Sequence, residues 1–126
     1  MSGAPRVLVV DDEPAILAAT RSYLTAAGYQ VDGAREREEA EALLCTSPYE
    51  LLIVDMRLTG THGREGLELL AFARERSAAT RSIVVTGHGS PELAEASLGC
   101  GADVFLSKPV SLADIAQAAA ALLSEN

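Results

Sequence analysis

Four runs of aliphatic residues in this sequence end on side chains that can do chemistry. Asp11 and Asp12 follow Arg6–Val10, Asp55 closes Leu51-Leu52-Ile53-Val54, Thr86 closes Ile83-Val84-Val85, and Lys108 closes the run from Val104. Such runs read as strands buried on both faces, the pattern of a parallel sheet. In open α/β sheets the carboxyl ends of the strands form the edge where ligands bind. Three carboxylates, a hydroxyl and an amine then converge on one cleft. The plainer alternative makes Asp55 the first residue of a loop, Asp11-Asp12 a helix cap and Thr86 a turn hydroxyl. Lys108 is the only lysine beside nine arginines, which makes its compact ammonium the more pointed.

Clustered carboxylates repel one another, and a divalent cation relieves the conflict. Mg²⁺, or Mn²⁺ in its place, suits hard oxygen donors and keeps coordination positions for water and a phosphoryl group. Lys108 and Thr86 supply further contacts to phosphoryl oxygens. Phosphoryl transfer needs mainly positioning and charge neutralisation. In this chemistry Asp55 is the nucleophile and forms an aspartyl phosphate.

The elements that must hold these residues alternate along the chain. After the first strand, Pro14 suits the first turn of a helix with Ile16, Leu17, Leu24 and Ala27 inward, ended by Gly28. Tyr29–Asp32 is a weak second strand, and Glu36–Cys45 a charged helix with Ala40, Leu43 and Leu44 inward. The third strand, Leu51–Asp55, leads through the glycine-rich stretch Thr59–Gly63 to a helix from about Glu65 to Arg76, with Leu67, Leu70 and Ala71 in register. A fourth strand, Ile83–Thr86, precedes a helix capped by Ser90, begun by Pro91 and ended by Gly99 and Gly101. The fifth strand, Val104–Lys108, precedes a last helix with Ser111 and Asp114 as a capping box and Ile115, Ala118, Ala119 and Leu122 inward. Five strand–helix units imply a three-layer α/β sandwich around a parallel sheet.

The composition fits one globular domain over residues 1–126, with its core over about 6–123 and no output domain. Apolar residues make up 48% and charged residues 22% of the chain. A net charge of −8 argues against direct nucleic-acid binding. No apolar run approaches the roughly 20 residues that span a bilayer, and no signal peptide is recognisable. Cys45 and Cys100, far apart and outside any metal-binding spacing, read as small core residues of a reducing, cytoplasmic protein.

Val-Val-Asp-Asp-Glu (9–13), Ile-Val-Asp-Met-Arg-Leu (53–58), Val-Val-Thr-Gly (84–87) and Gly-Ala-Asp-Val-Phe-Leu-Ser-Lys-Pro (101–109) occur in this order. Together they resemble the CheY-like receiver domain of two-component response regulators over essentially the whole chain. The resemblance implies a flavodoxin-like fold with strand order 2-1-3-4-5. It also implies that Asp55 is the phosphoacceptor for a sensor histidine kinase or histidine phosphotransfer protein. Asp12, Asp55 and the backbone carbonyl of Arg57 hold the metal in this scheme, with Asp11 acting directly or through water. Thr86 and Lys108 contact the phosphoryl group, and Lys108–Pro109 is a cis peptide. Thr86 and Phe105 then form a switch that repacks the face of the fourth helix, fifth strand and fifth helix toward an output domain or partner. For Phe105 the competing reading is an ordinary core aromatic.

Thr59 stands where the family usually has proline, and Gly66-Leu67-Glu68-Leu69 comes about three residues late, so the loop over 59–65 is longer than usual. Arg57 and His88 flank the cleft and read as solvent-exposed side chains, with tuning of hydrolysis as their alternative role, whereas His62 has no expected role. Ala116–Ala121 suits a homodimer or output contact, or is simply a strong helix former. A flavodoxin-type cofactor site is disfavoured because acids replace the phosphate loop. A haloacid-dehalogenase-type site would need Asp-x-Asp after the first strand. A pseudo-receiver that signals without phosphorylation is the remaining rival.

Overall fold

The structure, a computed structural model, describes residues 3–55, 64–87 and 91–124. The chain runs β1 (Arg6–Val10), α1 (Pro14–Ala26), β2 (Gln30–Ala34), α2 (Arg37–Thr46), β3 (Leu51–Asp55), α3 (Arg64–Arg76), β4 (Arg81–Thr86), α4 (Pro91–Gly99), β5 (Val104–Ser107) and α5 (Leu112–Leu123). All strand pairs are parallel, in the order β2-β1-β3-β4-β5. This is the flavodoxin-like arrangement with five helices. The order reverses between β1 and β3, so the switch point lies between their carboxyl ends.

The aliphatic runs behave as buried central strands because alternate side chains feed two separate cores. Leu8, Val10, Leu52, Val54 and Val84 pack with Ala40 and Leu44 of α2 and Leu69, Leu70 and Ala73 of α3. Val7, Val9, Leu51, Ile53, Ile83 and Val85 pack with Leu17 and Leu24 of α1 and Ile115, Ala119 and Leu122 of α5. Helices thus cover both faces of the sheet.

Several boundaries and faces differ from the sequence reading. β2 is Gln30–Ala34, and β4 starts two residues earlier, at Arg81. β5 stops at Ser107, which leaves Lys108 just beyond it. Ala27 is exposed, because α1 ends at Ala26 and Gly28 at φ +108° turns the chain away. The buried face of α1 is Leu17, Thr20 and Leu24, with Thr20 Oγ1 donating to the Ile16 carbonyl at 2.8 Å. In α3, Leu69 and Ala73 join Leu70 inside, whereas Leu67 and Ala71 are half-buried. Cys45 is exposed and Cys100 half-buried. Neither cysteine is a fully buried core residue, since Leu44 takes the inward position at the end of α2.

The termini of α5 follow the sequence closely. Asp114 N donates to Ser111 Oγ at 3.0 Å and Ser111 N to Asp114 Oδ2 at 3.2 Å, a reciprocal capping box. At the amino edge of the sheet, Asp32 Oδ2 accepts from the Tyr49 hydroxyl at 2.6 Å and from Arg6 Nη2 at 3.0 Å. The Tyr49 hydroxyl holds Asp32 below the ordinary carboxylate range, and Arg6 adds to the effect. Burial, with the bond to Asp32, pushes the Tyr49 phenol up to about 12. No helix among the described residues is long and apolar enough to cross a membrane.

Candidate phosphoacceptor site

The register of the sheet assembles the site. Val10 pairs with Val54, so the next residues, Asp11 and Asp55, stand on adjacent chains at the switch point. Asp55 pairs with Val85, and Thr86 with Ser107, which sets Thr86 and Lys108 one step further along the same edge. Asp11, Asp55 and Thr86 are all nearly inaccessible, at 4%, 5% and 2% exposure. Such burial of two carboxylates demands compensation.

Lys108 supplies part of it. Its Nζ lies 2.8 Å from Asp55 Oδ2, in a side-chain pair 27% and 6% exposed. The lysine backbone is fixed too: its amide donates to the Thr86 carbonyl at 2.7 Å, and the following Lys108–Pro109 peptide is cis. Asp11 is held at the start of α1, where its Oδ1 accepts the Glu13 amide at 2.9 Å. This is a turn leading into the helix and not a helix cap, and it coexists with a position in the cleft. The N-cap residue itself is Glu13, whose side chain makes no cap bond.

Asp11, Asp55 and Lys108 line a cleft of about 280 Å³. Asp12, the other acid in the sequence pair, is exposed and does not line it. Among the described residues no three His, Cys, Asp or Glu side chains gather tightly enough to form a metal cage. Mg²⁺ needs no such cage, because it binds through one or two carboxylates and keeps water and phosphoryl oxygens as its other ligands. The buried pair Asp11 and Asp55 fits that requirement. Arg57, with its backbone carbonyl, lies outside the described residues, as do His62, His88, Ser90 and the loop over 59–63.

Phe105 is half-buried and sits opposite Val84, packed against the core on the α2–α3 face. Parallel partners share a face, and so do residues two apart on one strand, so Thr86 and Phe105 face the same side of the sheet. The sequence reading overlooked the apolar flank of the cleft, where Ile16, Thr20, Val110 and Leu112 meet between α1 and α5. The available signal was Val110, an aliphatic residue between Pro109 and the capping Ser111 that belongs to neither the strand nor the helix.

Comparison with known proteins agrees with this geometry. The family profile described as the response regulator receiver domain matches residues 7–120. The transcriptional regulatory protein AruR of Pseudomonas aeruginosa is 39% identical over 116 residues, covering 88% of this chain but 46% of that regulator. The chain thus spans about half the length, or less, of the curated regulators it matches. Among solved structures, a CheY-like receiver domain protein from Methanospirillum hungatei superposes with a TM-score of 0.89 at 33% identity, covering 98% of this chain and 96% of that one. A response regulator from Burkholderia pseudomallei, solved with a phosphorylated aspartic acid and a calcium ion, has a TM-score of 0.80 at 28% identity over 95% of this chain and 73% of that one. A parallel sheet in this order, with buried acids and a lysine at its switch point, together with a family match over nearly the whole chain, makes this protein a member of the response regulator receiver domain family.

Proposed function

We propose that Asp55 accepts a phosphoryl group from a phosphohistidine of a sensor histidine kinase or histidine phosphotransfer protein. An Asp55 carboxylate oxygen attacks phosphorus, the phosphorus–nitrogen bond of the donor breaks, and the imidazole leaves with its electron pair. Lys108, already 2.8 Å from Asp55, neutralises charge on the transferring group and on the resulting acyl phosphate. Thr86, at the end of the neighbouring strand, donates its hydroxyl to a phosphoryl oxygen. Asp11, Asp12, Asp55 and the Arg57 carbonyl are the residues that would hold Mg²⁺ or Mn²⁺. The bound ion would supply charge neutralisation for the phosphoryl oxygens. Movement of Thr86 toward the phosphoryl group, with Phe105 turning inward on the same face, would repack α4, β5 and α5 toward an output domain, a partner or a second copy of the chain. The domain is in this reading a cytoplasmic phosphoacceptor that assists its own phosphorylation and hydrolysis, and not an enzyme with a separate substrate.

The observation that carries this reading is the buried Asp55 paired with the chain's sole lysine beside Asp11. Incubation with acetyl phosphate and Mg²⁺, followed by intact-mass measurement, tests it. One added phosphoryl group is expected, not formed when Mg²⁺ is chelated beforehand and absent in Asp55→Asn. An unmodified wild-type protein would favour the pseudo-receiver instead.

A further inference from the structure

Helix α4 differs from the other helices in what holds it down. Each of the other four buries at least two aliphatic side chains, as with Leu17 and Leu24 in α1 or Leu69 and Leu70 in α3. Of the nine residues of α4 only Ser97 is fully buried. Leu93 is half-buried, and Leu98, next to the serine, is 53% exposed. Ser97 is itself 0% exposed, and its hydroxyl has no hydrogen-bond partner among the described residues. The central anchor of this helix is thus a small polar side chain that gives up water on docking and gains no bond in exchange.

We infer that α4 opens from the folded core as a local unit, and that the Ser97 hydroxyl sets the balance between its docked and opened forms. Local opening free energy follows buried apolar contact, of which α4 has the least. The opened helix returns the Ser97 hydroxyl to water. The carboxyl end of α4 is tied through Cys100 N to the Ala96 carbonyl and Ala102 N to the Ser97 carbonyl, both at 3.0 Å. The chain turns just beyond this end at Gly101, which holds φ +116°. The amino end of α4, at Pro91, follows Thr86 by five residues in the sequence. An element that opens this cheaply is one that a charge event at Asp55 can bias. This last consequence rests on the phosphoacceptor reading, whereas exchange measured without a phosphoryl mimic reads the helix alone.

Native-state hydrogen exchange on the whole chain is the test. In the wild type, amides of residues 94–99 are expected to exchange well ahead of those of β3, which open only with global unfolding. Ser97→Ala removes the stranded hydroxyl and keeps helix propensity high, so it should slow exchange in α4 by about tenfold. Leu98→Ala, on the exposed side, should change it by less than about twofold. Exchange of α4 at the β3 rate in the wild type overturns the inference. So does an unchanged rate in Ser97→Ala, or an equal change in both variants. Titration with Mg²⁺ and beryllofluoride then separates the two readings. Binding weakened about tenfold by Ser97→Ala supports the link between α4 and Asp55. Equal binding with slowed exchange refutes that link and leaves the local opening standing. Failure of the wild type to bind the mimic counts against the phosphoacceptor site and not against the exchange result.

Discussion

Replacing Lys108 by methionine keeps the apolar stem and removes the ammonium that sits 2.8 Å from Asp55 Oδ2. Charge centres roughly 4 Å apart interact by about 4 kcal/mol at the effective dielectric suited to a protein surface. The lysine side chain is 27% exposed, so solvent screening removes part of this. A coupling of about 2 kcal/mol remains, below the cost of breaking a fully buried pair. Lys108→Met therefore loses about 2 kcal/mol at neutral pH without divalent metal, because Asp55 and Asp11 stay buried side by side. Asp55→Asn loses less, since it also removes a charge beside Asp11. Urea unfolding of both variants and of the double variant gives the coupling from the cycle. A coupling below about 0.5 kcal/mol would refute the view that the pair compensates the buried carboxylate.

Three further outcomes follow from other parts of the fold. Tyr49 has its phenol raised to about 12 in the folded protein; a raised folded value contributes stability that is complete below the unfolded value of about 10 and is lost as pH climbs through 12. Tyr49→Phe, followed by thermal unfolding across that range, should remove about 2 kcal/mol at neutral pH and flatten the alkaline decline. Gly101→Ala places a Cβ at φ +116°, against Arg74 Cδ at 2.9 Å, and should cost about 1–2 kcal/mol in urea titration. Ser111→Ala breaks the capping box of α5 and should cost about 1 kcal/mol, with a matching fall in the urea midpoint.

Much of this architecture was readable because the physics is local. Leu51–Val54 and Ile83–Val85 are continuous aliphatic runs, and only a strand covered on both faces accommodates them. The capping box at Ser111 and the turn at Gly28 are written in two or three residues each. Convergence of Asp11, Asp55, Thr86 and Lys108 on one edge followed from the strand ends alone. Faces of helices were harder, because which residues point inward depends on where the helix begins. α3 starts at Arg64, and its buried set is Leu69, Leu70 and Ala73 where Leu67 and Ala71 had been expected. Cys45 misled for a related reason: cysteine is commonly buried, yet the packing of α2 turned Leu44 inward. The exposure of Asp12 and the apolar flank of the cleft are tertiary facts, fixed by how α1 and α5 meet over the sheet. The Tyr49–Asp32–Arg6 cluster joins residues up to 43 positions apart and has no sequence signature.

The phosphoacceptor claim is tested most directly by locating the modified residue. The protein is treated with acetyl phosphate and Mg²⁺, the acyl phosphate is reduced with borohydride, and peptides are sequenced by mass spectrometry. Reduction converts a phosphorylated aspartate to homoserine, which is expected at position 55 alone and only when Mg²⁺ is present. Homoserine at Asp11 or Asp12, or none at any position, would contradict the account.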